Sequence, residues 1–317
     1  MKHQFEKNII VFVKCRGNKP YLFLNQMKNE QLDKDSINFY RENGYLYVEN
    51  LLSENEILEL RKVSDEFLEK SRTVSNHSEV FDLEPGHSPE FPKLRRLKNP
   101  IEQHEVYNRT VRHKEILNIV SQLIGPGIRT FGNKLNMKSA SFGSPVQWHQ
   151  DWAFYPHTND DLLAVGVCID DMSIENGALM VIPGSHKGPI LNHHQNGRFC
   201  GAVTDSNFSD KEAVAIELLA GGITIHHARC LHGSATNTSG APRRLLLFQY
   251  CATDAWPLVP GNNWELFNKN ILRGEASNQP RLEKLTVRLP FPEAEHDGSI
   301  YDTQSVLINP FVKVKTG

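Results

Sequence analysis

Trp148-His149-Gln150-Asp151 is the stretch from which the rest of this sequence is read. In an extended strand the side chains at i and i+2 point to the same face. His149 and Asp151 can therefore present an imidazole nitrogen and a carboxylate oxygen to one ion. His232 opens a second short stretch, His232-Gly233-Ser234, 81 residues beyond Asp151 (232 − 151), and would bring another imidazole from a different strand. Two histidines and one carboxylate on one face of a metal, with the opposite positions open, suit a non-heme Fe(II) that must also bind O2 and a co-substrate. A histidine and an aspartate two apart occur often by chance. The plain alternative is a buried histidine hydrogen-bonded to a neighbouring carboxylate, and the surrounding sequence has to decide.

From about residue 127 onward, short apolar runs alternate with turn residues. Asn176-Gly177 reads as a hairpin turn, Gly221-Gly222 precedes Ile223-Thr224-Ile225, and residues 244–251 form a late strand. Upstream the pattern is helical. Residues 35–43 read as a helix stopped by Gly44, and Tyr45-Leu46-Tyr47-Val48 as a strand. Ser53, with Glu56 three residues on, makes a capping box for a helix whose apolar stripe is Ile57, Leu60, Phe67 and Leu68. Residues 72–105 hold four prolines and read as a long loop. A third helix over 113–124 ends at Gly125-Pro126. Helices first and strands after predict a mainly β protein with flanking helices, a double-stranded β-helix or jelly-roll, cupin-like barrel. One domain over 1–317 is expected. Residues 1–30 would be an extension of unknown role, 31–126 a helical flank and long loop, 127–255 the barrel core, and 256–317 a lid or packing segment.

Three motifs stand in order: the His149–Asp151 pair, then Asn176-Gly177-Ala178-Leu179-Met180-Val181-Ile182-Pro183-Gly184-Ser185-His186-Lys187-Gly188, then His232-Gly233-Ser234-Ala235-Thr236-Asn237 with Arg243 eleven residues past His232. Together they resemble the phytanoyl-CoA dioxygenase family of Fe(II)/2-oxoglutarate-dependent oxygenases, over roughly residues 35–255. The resemblance implies the same barrel, with Fe(II) on His149, Asp151 and His232. It selects His232 over His226 and His227. On its own strand period His226 reads as barrel-lining, and His193-His194 reads as surface or lid.

The resemblance also implies 2-oxoglutarate as co-substrate, its far carboxylate met by Arg243. Arginine suits that task because its planar fork meets a carboxylate with two parallel hydrogen bonds. Arg244 is adjacent and faces the other way in a strand. Ser234 can add a hydroxyl, and the resemblance implies that Gln150 touches the co-substrate. Lys134, Asn136 and Lys138 alternate with Leu135 and Met137, which puts three polar groups on one face. That face is either solvated or turned into the barrel, where Asn136 and Lys134 would approach 2-oxoglutarate and Lys138 the substrate.

Trp152 can wall the substrate pocket or sit in the core. Arg95 and Arg96, in a run with Lys93 and Lys98, can hold an anionic substrate or be solvated charge. Trp256 can belong to a C-terminal lid. The expected activity is oxidation of an unactivated C–H bond of a small, acidic molecule. Hydroxylation comes first, with desaturation or ring closure open, while 2-oxoglutarate becomes succinate and CO2. Asp151 stands where halogenating relatives carry a small residue, which favours hydroxylation. The rival readings are a cupin-type isomerase or hydrolase without 2-oxoglutarate, and a non-catalytic sensor on the same scaffold.

Composition bounds the partners. The net charge is −2 and the isoelectric point near 6.7, so no global field favours nucleic acid or an anionic membrane. No apolar run approaches the ~20 residues of a transmembrane helix. Five cysteines without a paired C-x-x-C motif read as free thiols in a reducing compartment. A cytoplasmic protein acting on a small molecule is the expectation, with the oligomeric state unspecified.

Overall fold

The computed structural model describes residues 31–258, 263–287 and 299–312, together with the backbone pairing of Val11–Phe12 with Leu22–Phe23. Cys15 lies outside the described residues. Cys168, Cys200, Cys230 and Cys251 are free and buried, as the cysteine reading expects.

The helical flank begins with α1 (Lys34–Asn43). Asp33 caps its start, and Gly44 ends it in the left-handed region at φ 76°. Strand β1 (Tyr45–Val48) follows, then α2 (Glu54–Lys70) with the Ser53/Glu56 capping box in place. The stretch over 72–105 departs from the expected loop, since it contributes β2 (Phe81–Leu83) and β3 (Leu94–Lys98) to the main sheet. Prolines 85, 89 and 92 fall between these two strands, where no ladder hydrogen bond is lost. Helices α3 (Glu105–Val111) and α4 (Lys114–Ile124) complete the flank.

The barrel strands are β4 (Ile128–Lys138), β5 (Val146–His149), β6 (Leu162–Cys168), β7 (Leu179–Val181), β8 (Val214–Ile216), β9 (Ile223–His227), β10 (His232–Ser234) and β11 (Arg243–Ala252). The larger sheet runs β1-β9-β6-β11-β4-β3-β2, and β12 (Ile271–Arg273) also pairs with β4. The smaller sheet runs β8-β7-β10-β5. All pairings are antiparallel, as the jelly-roll reading requires. Asn176-Gly177 does not close a hairpin. Gly177 turns at φ 82° between β6 and β7, which lie in different sheets, so the Asn-Gly signal marks a turn and not a pairing.

Alternation along the strands assigns the two faces of the larger sheet. Leu46, Val48, Leu135, Val165, Val167, Ile223, Ile225, Leu246 and Phe248 form one core with Ile57, Leu60 and Phe67 of α2 and Ile116, Ile119 and Val120 of α4. Each such side chain contributes about 1.5–3 kcal/mol by leaving water. On the other face Tyr45, Tyr47, Cys168, Leu245 and Leu247 meet Leu179, Val181 and Ile216 of the smaller sheet. All ten residues of β11 are buried because both faces are covered. Between the sheets, toward β5 and β10, the interior turns polar.

Candidate active site

His149 is the last residue of β5 and His232 the first of β10, and the two are direct cross-strand partners. Asp151 opens the short helical turn after β5 and projects beside them. Its Oδ1 lies 3.7 Å from His149 Nε2 and 3.8 Å from His232 Nε2. All three are buried, and their ligand atoms lie within 4.8 Å of one another. The tautomers are fixed from behind. His149 Nδ1 donates to the Gln147 carbonyl at 2.8 Å, and His232 Nδ1 to the Cys230 carbonyl at 2.9 Å. Each Nε2 is left with its lone pair facing the carboxylate, the arrangement that metal-ligating histidines adopt. Burial alone would push the Asp151 carboxyl up. The imidazoles of His232, His149 and His226 and the Lys134 ammonium outweigh that and hold it well below its usual range. Burial pushes the His232 imidazole down, with His149 and His226 adding to the effect. A deprotonated carboxylate and neutral imidazoles are the donor set a divalent metal takes.

The triad opens into one cavity, also lined by Lys134, Asn136, His226, Ser234, Arg243 and Gln249. Its free volume is about 40 Å3. Strand register explains who lines it. Lys134 and Asn136 alternate inward on β4, while Arg243, Leu245, Leu247 and Gln249 do so on β11. Arg243 Nη2 donates to the Gly177 carbonyl at 2.7 Å, whereas its Nε has no partner among the described residues. Burial lowers the pKa of this guanidinium, and the same low-dielectric surroundings strengthen its attraction for an anion. Arg244 points to the opposite face. It is held by both oxygens of Asp170 at 2.7 and 2.8 Å and by Asp65 at 2.6 Å.

The other sequence candidates sit elsewhere. Gln150 is fully buried but turns away from the cavity. Its Nε2 donates to the carbonyls of Pro189 and Arg229, and its Oε1 accepts from Leu191 N–H, so the expected contact with the co-substrate is not available in this geometry. Lys138 is also buried, its Nζ donating to the carbonyls of Ser144 and Ala235, which spends it on chain packing. Arg95 pairs with Glu84 at 3.0 Å, and Arg96 with Asp82 at 2.6 Å. The basic run is thus a strand neutralised by its hairpin partner, not an open anion-binding loop.

Trp152 is buried among Leu162, Ala228, Cys251 and Ala255, and its Nε1 donates to the Thr286 carbonyl at 3.3 Å. It borders a second cavity with Pro156, Ile190 and His193, not the one containing the triad. Trp256 packs against Trp264 and Phe267. His193 is buried rather than superficial. Its Nε2 accepts the Gln150 backbone N–H at 2.9 Å, a role that no loop composition announces.

His226 does not share a strand with His232. It belongs to β9 in the larger sheet, while His232 belongs to β10 in the smaller one. The chain turns over residues 228–231 and brings the two imidazoles to a ring separation of 4.2 Å. Tyr155 was missed by the sequence reading. Its hydroxyl lies buried in reach of Asp151 and Gln249. Its place five residues or fewer past the H-x-D stretch (155 − 151 = 4) was the available signal.

Comparison with known proteins places this geometry. The profile of the phytanoyl-CoA dioxygenase (PhyH) family matches residues 40–245. The chain belongs to that family. A probable alpha-ketoglutarate-dependent hypophosphite dioxygenase of Stutzerimonas stutzeri is 35% identical over 278 residues, covering 86% of this chain and 97% of that relative. The L-proline trans-4-hydroxylase of Streptomyces griseoviridis is 29% identical, over 70% of this chain and 87% of its own. The iron-bound structure of EctD from S. alaskensis shares the fold, with a TM-score of 0.63 at 20% identity over 83% of this chain and 91% of that one. As a PhyH-family member the chain is an Fe(II)/2-oxoglutarate-dependent dioxygenase, and its small substrate is oxidised with iron and 2-oxoglutarate as cofactor and co-substrate. A cupin-type isomerase or hydrolase and a non-catalytic sensor are thereby set aside. No helix among the described residues is long and apolar enough to cross a membrane.

Proposed function

We propose that His149, Asp151 and His232 hold Fe(II), that Arg243 and Ser234 hold the far carboxylate of 2-oxoglutarate, and that the enzyme hydroxylates a small anionic molecule. The observation that carries this is one cavity combining the buried triad with an arginine whose Nε is orphaned. Buried polar atoms in native proteins are almost always partnered, so an orphan facing a cavity marks the place of a ligand. When bound, iron with O2 supplies the oxidising power: one oxygen atom enters the substrate and the other enters the succinate formed as 2-oxoglutarate releases CO2.

The chain's own tasks are narrower. The Gln147 and Cys230 carbonyls fix which nitrogen each histidine offers. Arg243 orients the co-substrate and neutralises its charge in a site where water cannot. The apolar walls at Val146, Leu179, Leu245 and Ile300 exclude water that would compete for the metal.

The bond oxidised is a C–H bond in the first reading. The 35% identity to the hypophosphite dioxygenase over nearly all of that relative favours a second, oxidation of a P–H bond of a small phosphorus oxyanion. Anaerobic titration of the Fe(II)-loaded protein with 2-oxoglutarate tests the ligand roles. A visible charge-transfer band should form in the wild type and not in Asp151→Ala. O2 consumption with hypophosphite, and with small carboxylic and amino acids, then separates the two bonds. A folded, iron-loaded protein without the band would sink the assignment.

A further inference from the structure

Iron and 2-oxoglutarate leave one end of the cavity unused. Arg243 and Ser234 mark the co-substrate end. At the other, His226 is 2% exposed, and neither of its ring nitrogens has a hydrogen-bond partner among the described residues. Its Nε2 lies 3.6 Å from Asp151 Oδ2, whereas His149 and His232 approach Oδ1, and its ring lies 4.2 Å from that of His232. His226 and Gln249 share one rung of the larger sheet, each paired with Ala164 from opposite sides. Lys134 enters on the next rung, where Leu247 faces it and Gly166 follows.

The small side chains are what open this corner. A Cβ on Gly132 would meet Gln249 Oε1 at 2.5 Å, and one on Gly166 would meet Thr224 Oγ1 at 2.7 Å. An apolar residue at 226 would finish this wall as packing. An imidazole there, left unbonded, carries the penalty of unmet hydrogen bonding unless a ligand satisfies it.

We infer that His226, Lys134 and Gln249 form the substrate subsite, and that it takes a small monoanionic oxyanion, one whose oxygens accept from the imidazole, ammonium and amide together. The inference rests on the assignment of iron and 2-oxoglutarate given above and adds the substrate's chemical class. Two oxyanion sources share this chemistry, a phosphorus oxyanion and a carboxylate. Lys134 supplies the counter-charge; burial and Arg96 work against its ammonium form, and Asp151 supports it. His226 and Gln249 line the same cavity and supply directional donors.

The test is anaerobic titration of protein loaded with Fe(II) and 2-oxoglutarate, with hypophosphite, phosphite and acetate as separate probes, following the charge-transfer band. At least one anion should shift the wild-type band saturably. Hypophosphite acting alone points to the phosphorus source and acetate to the carboxylate. In His226→Phe and Lys134→Met the half-saturating anion concentration should rise about 10- to 100-fold, the loss expected for a hydrogen bond to a charged group. In His226→Phe the 2-oxoglutarate and Fe(II) titrations should be unchanged, and His226→Asn, which keeps a donor, should recover part of the anion response.

Three results overturn the inference: no shift with any of the anions in the wild type, an unaltered response in both variants, or loss of Fe(II) affinity in His226→Phe. The last would make His226 a positioning residue for Asp151. A wild type that forms no band before any anion is added fails earlier, at the ligand assignment itself, and takes the anion site with it.

Discussion

The two faces of the larger sheet are built from the same strands and do opposite work. On the helix side Leu135, Val165, Val167, Ile225, Leu246 and Phe248 close a dry core. On the barrel side Lys134, Asn136, His226 and Gln249 stand one residue away from them in sequence and line a cavity with Arg243. Arg243 and Arg244 condense the contrast into a dipeptide. Arg244, facing outward, is fully bonded to Asp170 and Asp65 and serves stability. Arg243, facing inward, keeps an unsatisfied Nε in a buried site. The lesson is that unmet hydrogen bonding, more than charge or burial, separates a residue kept for a ligand from one kept for the fold.

The sharpest break is Asp151→Ala. Loss of the carboxylate should abolish Fe(II) binding and turnover while the circular dichroism spectrum stays native, because the residue contributes no strand pairing. The arginine pair comes next. Arg243→Ala should raise the 2-oxoglutarate requirement by an amount equivalent to about 2–5 kcal/mol and leave Fe(II) affinity in place. Arg244→Ala should do the reverse, costing roughly 3 kcal/mol of unfolding free energy through the stranded Asp170 and leaving the co-substrate requirement of the folded enzyme alone. Equal loss of co-substrate affinity in both would erase the distinction between the faces. In the dry core, Leu246→Ala should cost about 2–5 kcal/mol in denaturant unfolding, with the charge-transfer band unmoved.

Acid gives a comparable probe of a histidine kept for the fold. Burial pushes the His157 imidazole down to about 4, and its Nδ1 donates to the Tyr155 carbonyl. An unfolded histidine titrates near 6.5, so the folded state binds fewer protons below that pH. Stability should therefore fall as pH drops from about 6.5 toward 4, by roughly 3 kcal/mol for this group. Asp161, raised by burial to about 6, works in the opposite direction below that value. His157→Gln should flatten the acid limb of a plot of Tm against pH, and an unchanged limb would remove His157 as its cause. Ser53→Ala, the smallest, should cost about 1 kcal/mol through its capping box.

The family, the barrel and the positions of His149, Asp151 and His232 were legible because their spacing is set by strand period and chain order, which a sequence displays directly. The opposite facing of Arg243 and Arg244 followed from the same period. Gln150 was misread because it leaves the strand at the turn after His149, where alternation no longer reports direction. Arg95 and Arg96 were misread because their partners, Glu84 and Asp82, lie across a hairpin interrupted by prolines that looked like a loop. Lys138 satisfied the inward period yet met the carbonyls of Ser144 and Ala235 before it could reach the cavity. No local pattern encodes an acceptor as distant in sequence as the Ala235 carbonyl.

His149 and His232 are separated by 83 residues (232 − 149) and yet occupy one rung of the smaller sheet. The hinge of the chemistry is therefore a single register contact, and past Asp151 the long excursion between those residues supplies no further member of the triad before it delivers β10 in phase. A slip of β10 by one residue would turn His232 away from His149 and Asp151. The placement of two imidazoles beside one carboxylate is thus guarded by a single pair of facing residues.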